Sequence, residues 1–201
     1  MARYTGPRSK VSRRFGIPIF GDDKALEKRP YPPGIHGARR RKQSDYAVAL
    51  GEKQKLKFMY GVLEKQFRRY FDMAQRRRGV TGEILLQLLE TRLDNVVYRL
   101  GFANTRRFAR QFVTHGHIVV NGRRCSIPSY CCREGDVIEV KNNAKSRQIA
   151  VNSLEASQLS PAPDWMALDR DNFKGSVSRI PTREEIDPIV NERLVVELCS
   201  R

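Results

Sequence analysis

The sequence predicts an α+β protein: an irregular basic N-terminal arm, a helical domain, and a module of two helices on a small antiparallel sheet. Three observations carry this prediction. Apolar residues recur at helical spacing between Ser44 and Leu89 and again between Leu93 and Val113. The period then switches to two on either side of Asn121-Gly122, a dipeptide that tolerates positive φ at both central positions of a tight turn. Residues 1–43 keep neither period, and Gly and Pro recur there, as in Gly6-Pro7, Gly21, Pro30, Pro32-Pro33-Gly34 and Gly37.

Within the arm only Ser9 to Phe15 has the composition of a short helix. Ser44 is the candidate N-cap of the next, which runs to Tyr60 with a break at Gly51. A further helix starts near Gly61 and places Leu63, Phe67, Tyr70, Phe71 and Ala74 on one stripe, with Lys65, Arg68, Arg69, Arg76 and Arg77 largely off it. That stripe is core. Gly79 and Gly82 end the helix, Thr81 caps a short one, and Ile84, Leu85, Leu88 and Leu89 are to be buried. A Thr91 to Asp94 capping pair opens the first module helix, with Leu93, Val96, Val97 and Leu100 inward and Arg92 and Arg99 on a shared outer face. After Gly101, Asn104 or Thr105 caps the second, which buries Phe108, Phe112 and Val113, points Arg106, Arg107 and Arg110 outward, and ends near Gly116. Strands follow at Ile118–Val120, Arg123–Cys125 and Val137–Val140, with turns at Pro128-Ser129 and Gly135-Asp136.

The chain has 201 residues, 38 of them Lys or Arg and 22 Asp or Glu, a formal charge of +16. Its placement is uneven. Residues 1–45 hold twelve basic and four acidic side chains, residues 46–91 nine and five, residues 92–150 eleven and four, and residues 151–201 six and nine. The first 150 residues therefore carry +19 and the remainder −3, the pattern of an extended basic surface facing a polyanion rather than of an ordinary solvated face. The longest stretch without Asp, Glu, Lys or Arg is the twelve residues Gln111 to Gly122, short of the ~20 apolar residues of a spanning helix, so no membrane association is expected. The N-terminus lacks the apolar core of a secretory signal, which places the chain inside the cell. Cys125, Cys131, Cys132 and Cys199 form no CxxC pair and have no histidine at ligand spacing, so they read as reduced and structural. No GxxxxGK[ST], HExxH or GxSxG motif occurs, and the three histidines, His36, His115 and His117, belong to no recognisable triad.

The segment RLDNVVYRLGFANTRRFARQFVTHGHIVVNGRRCSIPSYCCREGDVIEV, residues 92–140, resembles the RNA-binding domain named after ribosomal protein four of the small subunit. The opening MARYTGP, then SRRFG, PPGIHGARR, KQSDYAVALGEKQKLKFMYGVLEKQFRRYF, TGEILLQLLETRLDNVVYR and IVNERLVVEL extend the resemblance over nearly the whole chain, to the bacterial-type family of that ribosomal protein. The resemblance implies an arm at 1–43, a helical domain of 44–91 plus a C-terminal return at about 180–201, an inserted RNA-binding module at 92–155, and a connecting segment at 156–179 packed on the module. It implies a structural component of the small ribosomal subunit that binds small-subunit rRNA and nucleates assembly of the subunit body. It further implies a contact with small-subunit protein five that influences decoding accuracy, protein three as a neighbour, and a position where messenger RNA enters. The location it implies is a cytoplasmic ribosome; an organelle ribosome would carry the same pattern.

Position by position, the resemblance assigns rRNA contacts to Arg3, Arg8, Lys10, Arg13 and Arg14 in the arm and to Lys53, Lys55, Arg68 and Arg69 in the helices. In the module it assigns them to Arg92, Arg106, Arg107, Arg110, His115, His117, Asn121 and Arg123. Arg39, Arg40, Arg41 and Lys42 match the run beside the messenger path, and Val190, Leu194, Val196 and Leu198 a protein interface. Some relatives hold zinc through cysteines in the arm; residues 1–45 contain none, and no metal or cofactor is expected. Pseudouridine synthases carry the same module and an Arg-Leu-Asp motif. Here Arg92-Leu93-Asp94 opens a module helix, where Asp94 suits the helix dipole, and no second domain of enzyme size is present, so an enzyme is not expected. A DNA-binding architectural protein would share the charge, and competition between structured rRNA and duplex DNA separates the two.

Overall fold

The computed structural model describes residues 3–39, 42–156, 162–186 and 190–200. They form an α+β protein of two compact units, one comprising the chain up to Gly82 with the C-terminal helix, the other Glu83–Ile186.

The start of the first unit is more ordered than its Gly and Pro content predicts. α1 (Arg8–Phe15) ends at Gly16, whose φ of 68° supplies a left-handed cap. α2 (Lys24–Lys28) is capped by Asp23, which accepts a hydrogen bond from the Ala25 amide at 3.0 Å. Val11 and Ile19 are buried, and the rings of Tyr4, Phe15 and Phe20 gather round Phe58 with centroids 5.0, 6.4 and 6.5 Å away. Aromatic burial on one acceptor ring thus orders a segment with few aliphatic residues.

Phe58 belongs to α3 (Asp45–Met59), capped by Ser44 Oγ accepting from the Ala47 amide at 3.3 Å. The helix runs unbroken through Gly51, because a lone helical glycine costs only about 1 kcal/mol against alanine. α4 (Glu64–Gln75) buries Phe67, Tyr70, Phe71 and Ala74, four of the five residues of the stripe read from the sequence.

α5 (Thr81–Glu90) crosses the boundary between the units and buries Ile84, Leu85, Leu86, Leu88 and Leu89. In the second unit, α6 (Leu93–Arg99) and α7 (Arg106–Thr114) precede β1 (Ile118–Val120), β2 (Arg123–Arg124) and β3 (Val137–Val140). Thr105 caps α7, its hydroxyl accepting from the Phe108 amide at 3.1 Å. Asn121 and Gly122, with φ of 49° and 77°, make the tight turn between β1 and β2. The opening of α6 differs from the capping pair expected: its N-cap is Arg92, and the amides of Leu93 and Asp94 donate to the carbonyls of Tyr130 (2.8 Å) and Pro128 (3.1 Å). The Thr91 hydroxyl instead donates back to the Gln87 carbonyl.

Beyond β3 lie α8 (Ala144–Ala156), β4 (Met166–Asp169) and β5 (Lys174–Val177). The segment 156–179, expected to be a connector, therefore contributes two strands to one antiparallel sheet of order β2-β1-β3-β5-β4. Four-residue strands reading MALD and KGSV are too short and too small for an alternation signal to stand out. Alternation sends Ile118, Val120, Ile138, Val140, Met166 and Val177 into a core shared with Leu93, Val97, Phe112 and Trp165. Each such side chain stabilises by roughly 1.5–3 kcal/mol on burial.

The sequence groups α5 with the helices before it and 180–186 with the C-terminal return. By contact, Glu83–Glu90 and 180–186 cluster with the second unit, where Gln87 Nε2 donates to the Pro181 carbonyl (3.1 Å), Asn95 Nδ2 to the Glu90 carbonyl (2.9 Å) and the Ile180 amide to Glu134 (3.1 Å). α9 (Glu192–Ser200) completes the first unit by packing on α3, burying Val195, while the Asn191 amide donates to Glu52 at 3.0 Å.

Gly175 pairs with Ile138 on the core face, and a Cβ there would collide with both terminal methyls of Leu100. Gly175→Ala is expected to lower the stability of this unit by about 1–3 kcal/mol through overpacking, measurable by urea denaturation; an unchanged midpoint would contradict the close packing.

Candidate nucleic-acid interface

The basic side chains singled out from the sequence differ in exposure: some are buried or half-buried against carboxylates and carbonyls of their own unit, and others face solvent.

In the first unit Arg3, Arg8, Lys10 and Arg14 are exposed, as are Arg39 and Lys42; Arg40 and Arg41 lie outside the described residues. Arg13 is not an outward contact. Its Nε donates to the carbonyls of Arg29 and Tyr31, both at 3.1 Å, and its guanidinium stacks 5.1 Å from the Tyr31 ring, pinning the segment after α2 to α1. Lys53 and Lys55 are likewise committed. Lys53 and Lys57 reach Glu64 at 2.6 and 3.2 Å, and Lys55 reaches Glu52 at 2.6 Å, the carboxylate that also receives the Asn191 amide. Burial opposes ionisation of Glu64, but the hydrogen bonds from Lys53 and Lys57 outweigh it and hold the carboxyl below the usual range. Arg68 and Arg69 are exposed on α4 and continue into exposed Arg76, Arg77 and Arg78, of which the sequence had named the first two only as lying off the stripe.

In the second unit the correction is larger. Arg92 is 0% exposed, Asp94 4% and Arg110 7%. Arg92 grips Asp94 with a two-point fork, Nε to Oδ1 at 3.0 Å and Nη2 to Oδ2 at 2.6 Å, and Arg110 Nη1 stands 3.7 Å from the same Oδ2. These residues hold the unit together and do not face outward. Arg99, expected on the outer face with Arg92, is paired with buried Glu90 at 2.9 Å. Arg106 is half-buried, donating through Nε to Asn95 Oδ1 at 2.7 Å and lying 4.6 Å from the Tyr98 ring. Of the three α7 arginines expected outside, only Arg107 is fully exposed.

His115, Asn121 and Arg123 are exposed. The Asn121 side chain is nevertheless occupied, donating to Asp136 at 2.8 Å and accepting from the Val137 amide at 2.9 Å, so it fixes the turn. His117 is half-buried, stacked on Phe112 at 4.8 Å, with Nδ1 2.9 Å from the Ser146 hydroxyl. Exposed Arg124, Arg133, Lys141, Lys145 and Arg147 were not singled out. Arg124 follows Arg123 directly, so its charge was visible; which of the two faces His117 was not.

Val190 is buried while Leu194, Val196 and Leu198 are half-buried along α9. The four cysteines are free thiols, and burial pushes Cys132 well above the usual range. Among the described residues, no helix is long and apolar enough to cross a membrane.

The ribosomal protein S4/S9 N-terminal domain matches residues 3–90 and the S4 domain residues 91–138. The chain is 63% identical over 203 residues to small ribosomal subunit protein uS4 of Akkermansia muciniphila, 57% over 202 to that of Opitutus terrae and 52% over 204 to that of Persephonella marina. In each case the match covers 100% of both chains.

Proposed function

The chain belongs to the small ribosomal subunit protein uS4 family, and from that premise we propose that it binds small-subunit rRNA through the exposed cations of its two units. The family is one of ribosomal structural proteins, not of enzymes, and its place is the small ribosomal subunit. The observation that carries the rRNA reading is the density of exposed cations on one unit: Arg107, Arg123, Arg124, Lys141, Lys145 and Arg147 all lie at its surface, whereas Arg92, Arg99, Lys53 and Lys55 are buried or half-buried against carboxylates.

A-form RNA hides its base edges in a deep, narrow groove and offers phosphates and 2′-hydroxyls, so such a surface reads shape and backbone. Arginine suits this task because its planar fork engages two phosphate oxygens at once. In the first unit Arg3, Arg8, Lys10, Arg14, Arg68 and Arg69 are the proposed rRNA contacts; in the second, Arg107, His115, His117 and Arg123, with Arg106 contributing its outer edge. Arg39 to Lys42 is proposed to guide messenger RNA where it enters. The half-buried Leu194, Val196 and Leu198 are proposed to meet neighbouring proteins, protein five of the small subunit foremost and protein three beside it. Early binding of rRNA by both units would nucleate the subunit body, and the contact with protein five would influence decoding accuracy.

Filter binding of the full chain to a small-subunit rRNA transcript tests the central reading. With six to ten phosphates neutralised, affinity is expected to fall by roughly 10³ to 10⁵ between about 50 and 200 mM salt, by analogy with duplex DNA. A nearly flat salt dependence, or equal competition by duplex DNA, would defeat it.

A further inference from the structure

The register of β1 with its two neighbours decides which cations gather at His117. Ile118 pairs with Val140 and Val119 with Arg124. One step outward His117 stands across from Lys141, whose amide donates to the His117 carbonyl at 2.8 Å. Alternation therefore puts Val119, Arg124, Glu139 and Lys141 on one face and the buried Ile118, Val120, Ile138 and Val140 on the other, with His117 just before the first residue of β1. Arg124, diagonal to His117 across the strand pair, is within reach of it; Arg123 points to the opposite face.

Three further features fix the cluster. A Cβ on Gly116 would overlap the Arg124 guanidinium, so that side chain lies directly over the glycine, whose φ is 74°. His115 reaches in from the end of α7, its ring centroid 6.2 Å from that of His117. Stacking on Phe112 and the bond between Nδ1 and the Ser146 hydroxyl hold the His117 ring. The charged groups acting on His117 are His115 from α7, Lys141 after β3 and Arg124 from β2. Glu139 on this face is bridged by Lys174 at 3.0 Å, and Asp169, opposite Lys174 on β4, lies on the same face.

We propose that His115, His117, Arg124 and Lys141 form a subsite for one phosphate of an RNA backbone, and that filling it draws a proton onto His117. The identity of the ligand as RNA rests on the rRNA reading above; the anion site itself does not. Burial and then the neighbouring cations hold the His117 imidazole below its ordinary range, so the empty site disfavours the imidazolium. An anion among these cations removes their mutual repulsion and favours the imidazolium. Binding therefore takes up a proton and tightens as pH falls through the range in which His117 titrates, by at most about tenfold per pH unit for a single site.

Histidine ring resonances of the full chain, followed by NMR from pH 5 to 8 in sodium sulfate and in sodium chloride of equal ionic strength, test the subsite without RNA, since sulfate does not titrate there. Sulfate is expected to raise the His117 pKa in the parent chain and to leave it unmoved in Arg124→Gln and Lys141→Gln, both surface changes that retain the fold. No sulfate response in the parent chain overturns the subsite. With the small-subunit rRNA transcript, each variant is expected to weaken binding about tenfold and to flatten the salt slope by about one. Unchanged slopes overturn the assignment of these residues even where rRNA binding stands. A sulfate response in a chain that fails to bind rRNA upholds the anion site and rejects the rRNA reading.

Discussion

Asp94→Ala is expected to destabilise the second unit by about 3–5 kcal/mol, the range found when one member of a buried charge group is removed. Asp94 is the carboxylate facing both Arg92, with no exposed surface, and Arg110, with almost none. Removing it leaves two guanidiniums in a low-dielectric interior, and arginine cannot relieve the strain by giving up a proton. Against a total stability of roughly 5–15 kcal/mol the loss is large. It also reaches further than one pair, because Asp94 sits in the first turn of α6, where the Pro128 and Tyr130 carbonyls take the helix amides. Urea unfolding of the variant, set beside Asp94→Asn, checks this. A loss below about 1 kcal/mol would mean that solvent reaches the cluster. Held by Arg92 and facing Arg110, Asp94 has a structural role in the Arg-Leu-Asp tripeptide.

The second large effect concerns α7, where three arginines of the same type have different fates. Arg110→Glu is expected to abolish the folded second unit, since it places a carboxylate where Arg110 now faces the Asp94 carboxylate at 3.7 Å. Arg107→Glu is expected to leave the unfolding midpoint within about 0.5 kcal/mol of the parent, as exposed substitutions do, while weakening rRNA binding by about tenfold or more. Changing Arg106, Arg107 and Arg110 together confounds the two outcomes, and loss of RNA binding by the triple variant would report unfolding. Circular dichroism together with filter binding on the two single variants separates them. A folded Arg110→Glu, or an unfolded Arg107→Glu, would refute the facing of α7 described here.

Much of the fold was legible because its signals are local. Ser44 and Thr105 cap helices where their side chains predict, the stripe from Phe67 to Ala74 is buried, and Asn121-Gly122 turns as that dipeptide should. Elements without a local signal were missed. α2 has five residues, β4 and β5 four each, and their stability comes from partners distant in sequence, Val137 to Glu139 for β5 among them. Gly51 misled in the other direction, since a lone glycine costs a helix only about 1 kcal/mol and α3 packs on α9 from the far end of the chain.

For the candidate interface the division is sharper. Composition and its uneven placement pointed to a polyanion as the partner, because net charge adds whatever the fold. The motif series determined the family, because so many residues in order survive any local misreading. Which cations are available was decided only by tertiary structure. Arg92 and Arg107 look alike as letters, yet one is sealed against Asp94 and the other is exposed on α7; Arg123 and Arg124 are adjacent, yet strand register sends them to opposite faces. A charged side chain costs several kcal/mol to desolvate, so a buried one needs a partner inside while an exposed one keeps its water. That choice depends on which carboxylate the folded chain brings within about 4 Å, and no reading along one dimension contains that distance.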